Sequence, residues 1–154
     1  MSERYQIWVV DDKPANLLMI ERSFETVRAL VELRLFEDVR EFMATLERDL
    51  KRSAALPDFV LLDFFLRWMH GHQALTRVLQ CYRAAATPKS QRAVVIAHSS
   101  HPNASALLLR YGADFSLPKV KGLPTSAALE HNFCSAAALA WMREQRQAWQ
   151  MNAL

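Results

Sequence analysis

The sequence has little of what several common sites require. Its 154 residues include only three glycines, Gly71, Gly112 and Gly122. A phosphate loop of the GxGxxG or GxxxxGK type needs glycines clustered where the backbone approaches the anion, so neither loop is present. The two cysteines, Cys81 and Cys134, stand far apart. With no CxxC pair, a structural zinc site and a thioredoxin-like motif are not expected. Long apolar runs are also missing. The first, Ile7 to Val10, ends at Asp11 and Asp12, too short for a signal peptide or a membrane span. No later segment approaches the ~20 uninterrupted apolar residues of a spanning helix. The chain is therefore expected to be cytoplasmic, with both thiols reduced.

Charge of one sign is in small excess, +3 at pH 7, with 14 arginines against 5 lysines. The arginines are scattered and form no stripe, which argues against a direct nucleic-acid partner. What is present suits a globular chain: 51% hydrophobic and 23% charged residues. That balance excludes a disordered or fibrous protein, and the length predicts one domain.

Apolar patterning predicts an alternation of strands and helices. Tyr5–Val10 (YQIWVV) reads as a buried strand. Asp12 is expected to cap the helix that follows, with Pro14 in its first turn. Leu17, Ile20 and Phe24 recur at helical spacing. Leu30–Phe36 alternates and reads as a strand with one wetter side. Val39, Phe42, Met43, Leu46 and Leu50 mark one face of an amphipathic helix. Phe59–Leu62 is a third strand, and Leu75, Val78, Leu79 and Tyr82 a third helix. Thr87–Gln91 is a polar connector. Ala93–Ala97 is the fourth strand, Ala104 to Tyr111 a short helix stopped by Gly112, and Phe115–Leu117 a short fifth strand. A last helix, capped by Thr125 or Ser126, runs to about Gln147, with Leu129, Phe133 and Ala137 facing the core. Near-continuous apolar strands separated by helices imply a doubly wound five-stranded parallel sheet, (βα)5, covered on both faces. In such sheets the binding crevice lies beyond the carboxyl ends of the strands.

Those ends carry Asp11 and Asp12 on the first strand, Asp63 on the third, Ser99 just past the fourth, and Lys119 on the fifth. Singly, each carboxylate reads as a cap, a solvated neighbour or a turn former. Together they would repel in one pocket and need compensation. Mg²⁺ suits such a site, taking a few carboxylates and keeping several waters. An aspartate can act as a nucleophile and form an aspartyl phosphate. Phosphoryl transfer then needs chiefly positioning and neutralisation of the equatorial oxygens, which Mg²⁺, Lys119 and Ser99 would share.

At this point four stretches resemble the receiver domains of bacterial two-component response regulators, of the CheY-like, flavodoxin-like type: VVDDKPAN (Val9–Asn16), PDFVLLDFFLRWMHG (Pro57–Gly71), VVIAHSS (Val94–Ser100) and GADFSLPK (Gly112–Lys119). The resemblance implies strand order 2-1-3-4-5, a single receiver domain over residues 1–147, and a tail of the last helix over 148–154. It implies that Asp63 accepts the phosphoryl group, with Ser99 and Lys119 completing the catalytic set. It implies Mg²⁺ held by Asp12, Asp63 and the Phe65 carbonyl, with Asp11 acting through a water. Phe65 and His101, each two residues past a catalytic position, would control how water reaches the acyl phosphate. The implied partners are a histidine kinase or histidine phosphotransfer protein and a downstream protein, with a homodimer allowed. Such a module is a signalling receiver, catalysing only its own phosphorylation and dephosphorylation.

The sequence also departs from the family pattern. Arg67 stands where proline is usual, His70 where an acidic residue is usual, and Val120 where a cis proline follows the lysine. A cis bond before valine would cost about 2.5–4 kcal/mol, so a trans Lys119–Val120 peptide is expected. Ser116 occupies the aromatic switch position, and Phe115 should point to the other side of its strand. The partner surface is therefore expected around Trp68 and Met69. Two other readings remain: a receiver-fold scaffold that no longer switches by phosphorylation, and an Mg²⁺-dependent phosphohydrolase, whose DxDx signature VVDDKP lacks. His70-x-His72 with His98-x-x-His101 could also make a transition-metal site, though cysteine ligands are missing.

Overall fold

The computed structural model describes residues 4–52, 56–117, 133–142 and 144. The elements are β1 (Tyr5–Val10), α1 (Pro14–Ser23), β2 (Val31–Phe36), α2 (Val39–Arg52), β3 (Phe59–Leu62), α3 (Gly71–Ala84), β4 (Val94–Ala97), α4 (Pro102–Arg110) and β5 (Phe115–Ser116). Single 3₁₀ turns at Glu25–Val27 and Lys89–Gln91 lie in the connections before β2 and β4. Residues 136–142 are helical. The strands form one parallel sheet in the order β2-β1-β3-β4-β5, as the apolar runs and the family resemblance predict.

Alternation along the strands sends successive side chains to opposite faces. Trp8, Val10, Val60, Leu62 and Val95 pack beneath α2, α3 and α4. Ile7, Val9, Phe59, Leu61, Val94 and Ile96 pack against α1 and the segment holding Phe133, Leu139 and Met142. The interior strands β3 and β4 are buried at every position, which is why neither shows a wet side in the sequence. No described helix is long and apolar enough to cross a membrane.

Some local expectations are corrected. The residue that caps α1 is Lys13, with Pro14 opening the helix and no side-chain cap. The Asp11 carboxylate takes the Lys13 N–H at 3.0 Å, an Asx turn that leaves Asp12 outside the capping role. β2 begins at Val31, because Leu30 already serves the turn, its N–H donating to the Val27 carbonyl at 2.8 Å. In the C-terminal segment Phe133 is buried as expected, Ala137 is exposed, and Leu139 and Met142 complete the buried stripe. Thr125, Ser126, Leu129 and Gln147 lie outside the described residues.

Asp114 ties α4 to the sheet. Its Oδ2 accepts the Val95 N–H at 2.8 Å, and its own N–H donates to the Val95 carbonyl at 2.8 Å. Burial pushes its carboxyl up to about 6 from the usual 3.8, against the opposing pull of the Val95 hydrogen bond and the Lys89 charge. The folded state therefore holds this proton more tightly than the unfolded chain. The resulting stability is complete below about 3.8 and is lost as pH rises through about 6. For such a shift, the loss is of order 2–3 kcal/mol. Asp114→Asn keeps an oxygen for Val95 and cannot titrate. Urea melts from pH 4 to 7 should show the variant gaining on the wild type as pH rises; a difference that stays constant across that window would contradict this.

Candidate functional site

The sheet brings its acidic residues to one end because β1 and β3 are neighbours in register, Val10 lying opposite Leu62. The next residues, Asp11 and Asp63, therefore leave the sheet side by side, and the Asp63 N–H donates to the Val10 carbonyl at 3.1 Å. Carboxylate oxygens of Asp11, Asp12 and Asp63 all lie within 4.8 Å of one another. Asp11 and Asp63 are buried, and Asp12 is half-buried.

Each carboxylate is held differently. Asp11 accepts the Lys13 N–H and, through both oxygens, the Asn16 side-chain amide at 3.2 and 3.4 Å. Asp63 Oδ1 accepts the Phe64 N–H at 2.8 Å. Asp12 Oδ1 is buried and has no hydrogen-bond partner. A buried carboxylate oxygen without a donor is costly unless a cation meets it. Hard oxygen donors of this kind suit Mg²⁺. Octahedral ligands at about 2.0–2.1 Å span at most about 4.2 Å across the ion, so two carboxylates could bind directly and a third through water. The residues present thus fit a divalent ion.

The neighbouring loops close around this cluster. Gly71, the first residue of α3, donates its N–H to the Phe64 carbonyl at 2.7 Å. A side chain there would run into the Asp63 carbonyl oxygen and come within 2.9 Å of the Phe64 Cα, so only glycine lets the helix start against the acidic strand end. Ser99 is buried past β4, and its hydroxyl accepts the His101 N–H at 3.3 Å. Phe65 is 46% exposed, and its ring meets the edge of His101 at 4.8 Å between centroids. The two residues paired by sequence position are therefore also paired in space, beside the cluster. Lys119 and Val120 lie outside the described residues, and so does the bond between them.

Trp68 projects into solvent at 61% exposure, with a left-handed φ of 78°. Its ring is covered by the Arg40 guanidinium at 3.9 Å, and Arg67 lies 5.1 Å from its centre. Arg67, in the position usually held by proline, thus serves this aromatic contact. Met69 does not share the exposure. It is half-buried and packs partly against the core, and with Trp68 it lines a surface pocket that also holds His72, Gln73 and Tyr111. Ser116 is exposed, while Phe115 packs toward the opposite face, with its ring 5.6 Å from that of Trp141.

The histidines do not form a transition-metal site among the described residues, where the only group of three or more close ligands is the aspartate cluster. His98 is buried, and its Nδ1 lies 2.8 Å from the Leu117 carbonyl, bracing β4 against the end of β5. His70 and His72 stack on Phe64, each with 5.2 Å between centroids. Sequence reasoning missed Asn16, the His98 brace and the close approach at Gly71. A polar residue one turn into the helix after the acidic pair was the only signal for Asn16.

No family model matches the chain, and no curated protein matches it. Solved structures do. A CheY-like response regulator receiver domain protein from Methanospirillum hungatei superposes with a TM-score of 0.64 at 18% identity, over 95% of this chain and 98% of that one. The phosphorylated cyanobacterial phytochrome response regulator RcpA gives 0.68 at 20% identity, over 84% and 91%. The signal receiver domain of an HD domain-containing protein from Pseudomonas fluorescens gives 0.67 at 18% identity, over 98% and 95%. The fold of this chain is that of CheY-like receiver domains.

Proposed function

We propose that this chain is a phosphorylatable receiver module over residues 1–147, taking a phosphoryl group on Asp63 from a histidine kinase or phosphotransfer protein. The observation that carries the reading is the packing of Asp11, Asp12 and Asp63 within 4.8 Å, with one buried Asp12 oxygen lacking a donor. An Asp63 oxygen attacks phosphorus, the bond to the donor nitrogen breaks, and the imidazole leaves with a proton. Mg²⁺, held by Asp12, Asp63 and the Phe65 carbonyl with Asp11 behind a water, would neutralise charge on the transferring group. Ser99 would donate its hydroxyl to one phosphoryl oxygen, and Lys119 would pair with another. The Phe64 N–H fixes one Asp63 oxygen and so orients the carboxylate. The Phe65 and His101 rings, 4.8 Å apart between centroids, would restrict water reaching the acyl phosphate.

The output differs from that of a receiver with an aromatic switch. Ser116 has no ring to move inward, and Phe115 serves the other face. The response should therefore concentrate in loops 65–71 and 99–103, which touch the phosphoryl site and carry Trp68 and His101. Amide exchange with and without beryllofluoride tests this. Protection is expected to change in those two loops, with Phe115 and Ser116 little altered. Exchange that stays the same throughout favours the second reading, a receiver-fold scaffold that no longer switches, which the exposed Ser116 supports. Change confined to Phe115–Leu117 would overturn the route through Trp68.

A further inference from the structure

Among the described residues, β2 is an edge strand whose only strand neighbour is β1. An edge carries backbone donors and acceptors that its neighbour cannot use. The ladder fixes which residues carry them. The Leu30 carbonyl accepts the Tyr5 N–H at 2.8 Å, and the Phe36 carbonyl accepts the Asp11 N–H at 3.1 Å. Alternate residues of a strand address opposite neighbours. The even positions from 30 to 36 therefore bond to β1, and Val31, Leu33 and Leu35 turn their N–H and C=O groups outward. Pairing runs unbroken from Tyr5–Val31 to Val10–Phe36, so no bulge interrupts the edge, and its sequence, VELRLF, contains no proline. Of the devices that usually blunt an edge, the described residues of this strand show neither bulge nor proline, and they carry two charges of opposite sign, Glu32 and Arg34.

The side chains divide by face. Leu33 and Leu35 are half-buried toward α1, beside a groove lined also by Glu21, Phe24 and Arg28. Glu32 and Arg34 point to the other face and are exposed.

We propose that β2 pairs antiparallel with β2 of a second copy of this chain, about a two-fold axis through Leu33. In this register Leu33 exchanges backbone hydrogen bonds with Leu33 of the partner subunit, and Val31 does so with Leu35 of the partner subunit. All the outward-facing groups of the strand are then met. Glu32 lies opposite Arg34 of the partner subunit, at a non-hydrogen-bonded position where Cα atoms are about 4.5 Å apart and side chains are close. Sliding by two residues in either direction sets Glu32 against Glu32 or Arg34 against Arg34. Sliding by one misaims the backbone groups and exchanges the faces. The charge pattern therefore selects one self-complementary register, as a two-fold interface requires. The leucines of both copies share one face and cover each other's exposed parts. Because the strands run oppositely, the two acidic clusters lie at opposite ends and stay open, so pairing does not depend on phosphorylation.

Sedimentation velocity across a concentration series tests this, with two variants. The wild type is expected to pass from monomer to dimer as concentration rises. Glu32→Arg, at an exposed position, places arginine against arginine twice per dimer and should weaken the dimer roughly tenfold or more. Leu33→Pro removes an N–H that β1 does not use, as edge strands tolerate, and should leave only monomer. Circular dichroism confirms that each variant is folded; should the proline variant unfold, Glu32→Arg decides. A wild type that is monomeric up to about 1 mM, a concentration marking negligible affinity, would overturn the proposal. So would a dimer that Glu32→Arg does not weaken.

Discussion

Gly71→Ala is expected to lower the unfolding free energy by about 2–4 kcal/mol and the melting temperature by about 5–15 °C. The added methyl group would press on the Asp63 carbonyl oxygen and the Phe64 Cα. Both are backbone atoms, and backbone cannot move aside as a flexible side chain can. The short Gly71–Phe64 hydrogen bond of 2.7 Å ties the same atoms together, so relief at one point opens another. Gly112→Ala is the contrasting case. Gly112 has φ of +116°, and the nearest atom to an added Cβ is the movable Leu79 Cδ1 at 3.0 Å. Its cost is conformational, about 1–2 kcal/mol, and remote from the acidic cluster. Thermal melts should rank Gly71→Ala below Gly112→Ala, and only the first should also slow phosphorylation, by displacing Asp63. A Gly71→Ala protein melting within about 2 °C of the wild type would show that α3 can shift freely away from the strand end.

Asp12→Ala should separate stability from chemistry. The Asp12 oxygen that lacks a partner contributes nothing to the metal-free fold and adds like charge beside Asp11 and Asp63. Its removal is expected to leave the metal-free melting temperature unchanged or about 1–3 °C higher. Mg²⁺-dependent phosphorylation from a small phosphodonor should fall by at least about a hundredfold, as expected on losing one electrostatic stabiliser of the transferring group. Adding Mg²⁺ should raise the melting temperature of the wild type and not of the variant. A variant that destabilises the metal-free protein while phosphorylating at the wild-type rate would assign Asp12 a purely structural role.

How far the sequence could be read depended on whether a property was local. Strands β1, β3 and β4 were legible because their apolar runs are bounded by charged or polar residues, and the carboxyl-end positions of Asp11, Asp12, Asp63 and Ser99 followed at once. The Phe65–His101 contact was legible only as a coincidence of spacing; the fold makes it a contact by placing β3 beside β4. The cap of α1 was misplaced because Asp11 and Asp12 look alike in sequence, and which carboxylate turns back onto the helix depends on the strand's exit direction. How far Trp68 and Met69 are exposed could not be read from adjacency: Trp68 is exposed, with a left-handed φ, while Met69 packs partly against the core. Gly71 gave no sign of its role, since a close approach to Asp63 exists only once α3 is docked. His98 offered itself as a ligand and proved to be a brace, because its partner is a backbone carbonyl that no motif records.

The most direct test is intact mass after incubation with Mg²⁺ and phosphoramidate or acetyl phosphate. The wild type is expected to gain about 80 Da, one phosphoryl group on a carboxylate, and to lose it again with time. Asp63→Asn is expected to gain nothing under the same conditions. A wild type that never gains the mass, or an adduct that persists in Asp63→Asn, would contradict Asp63 as the phosphoryl acceptor.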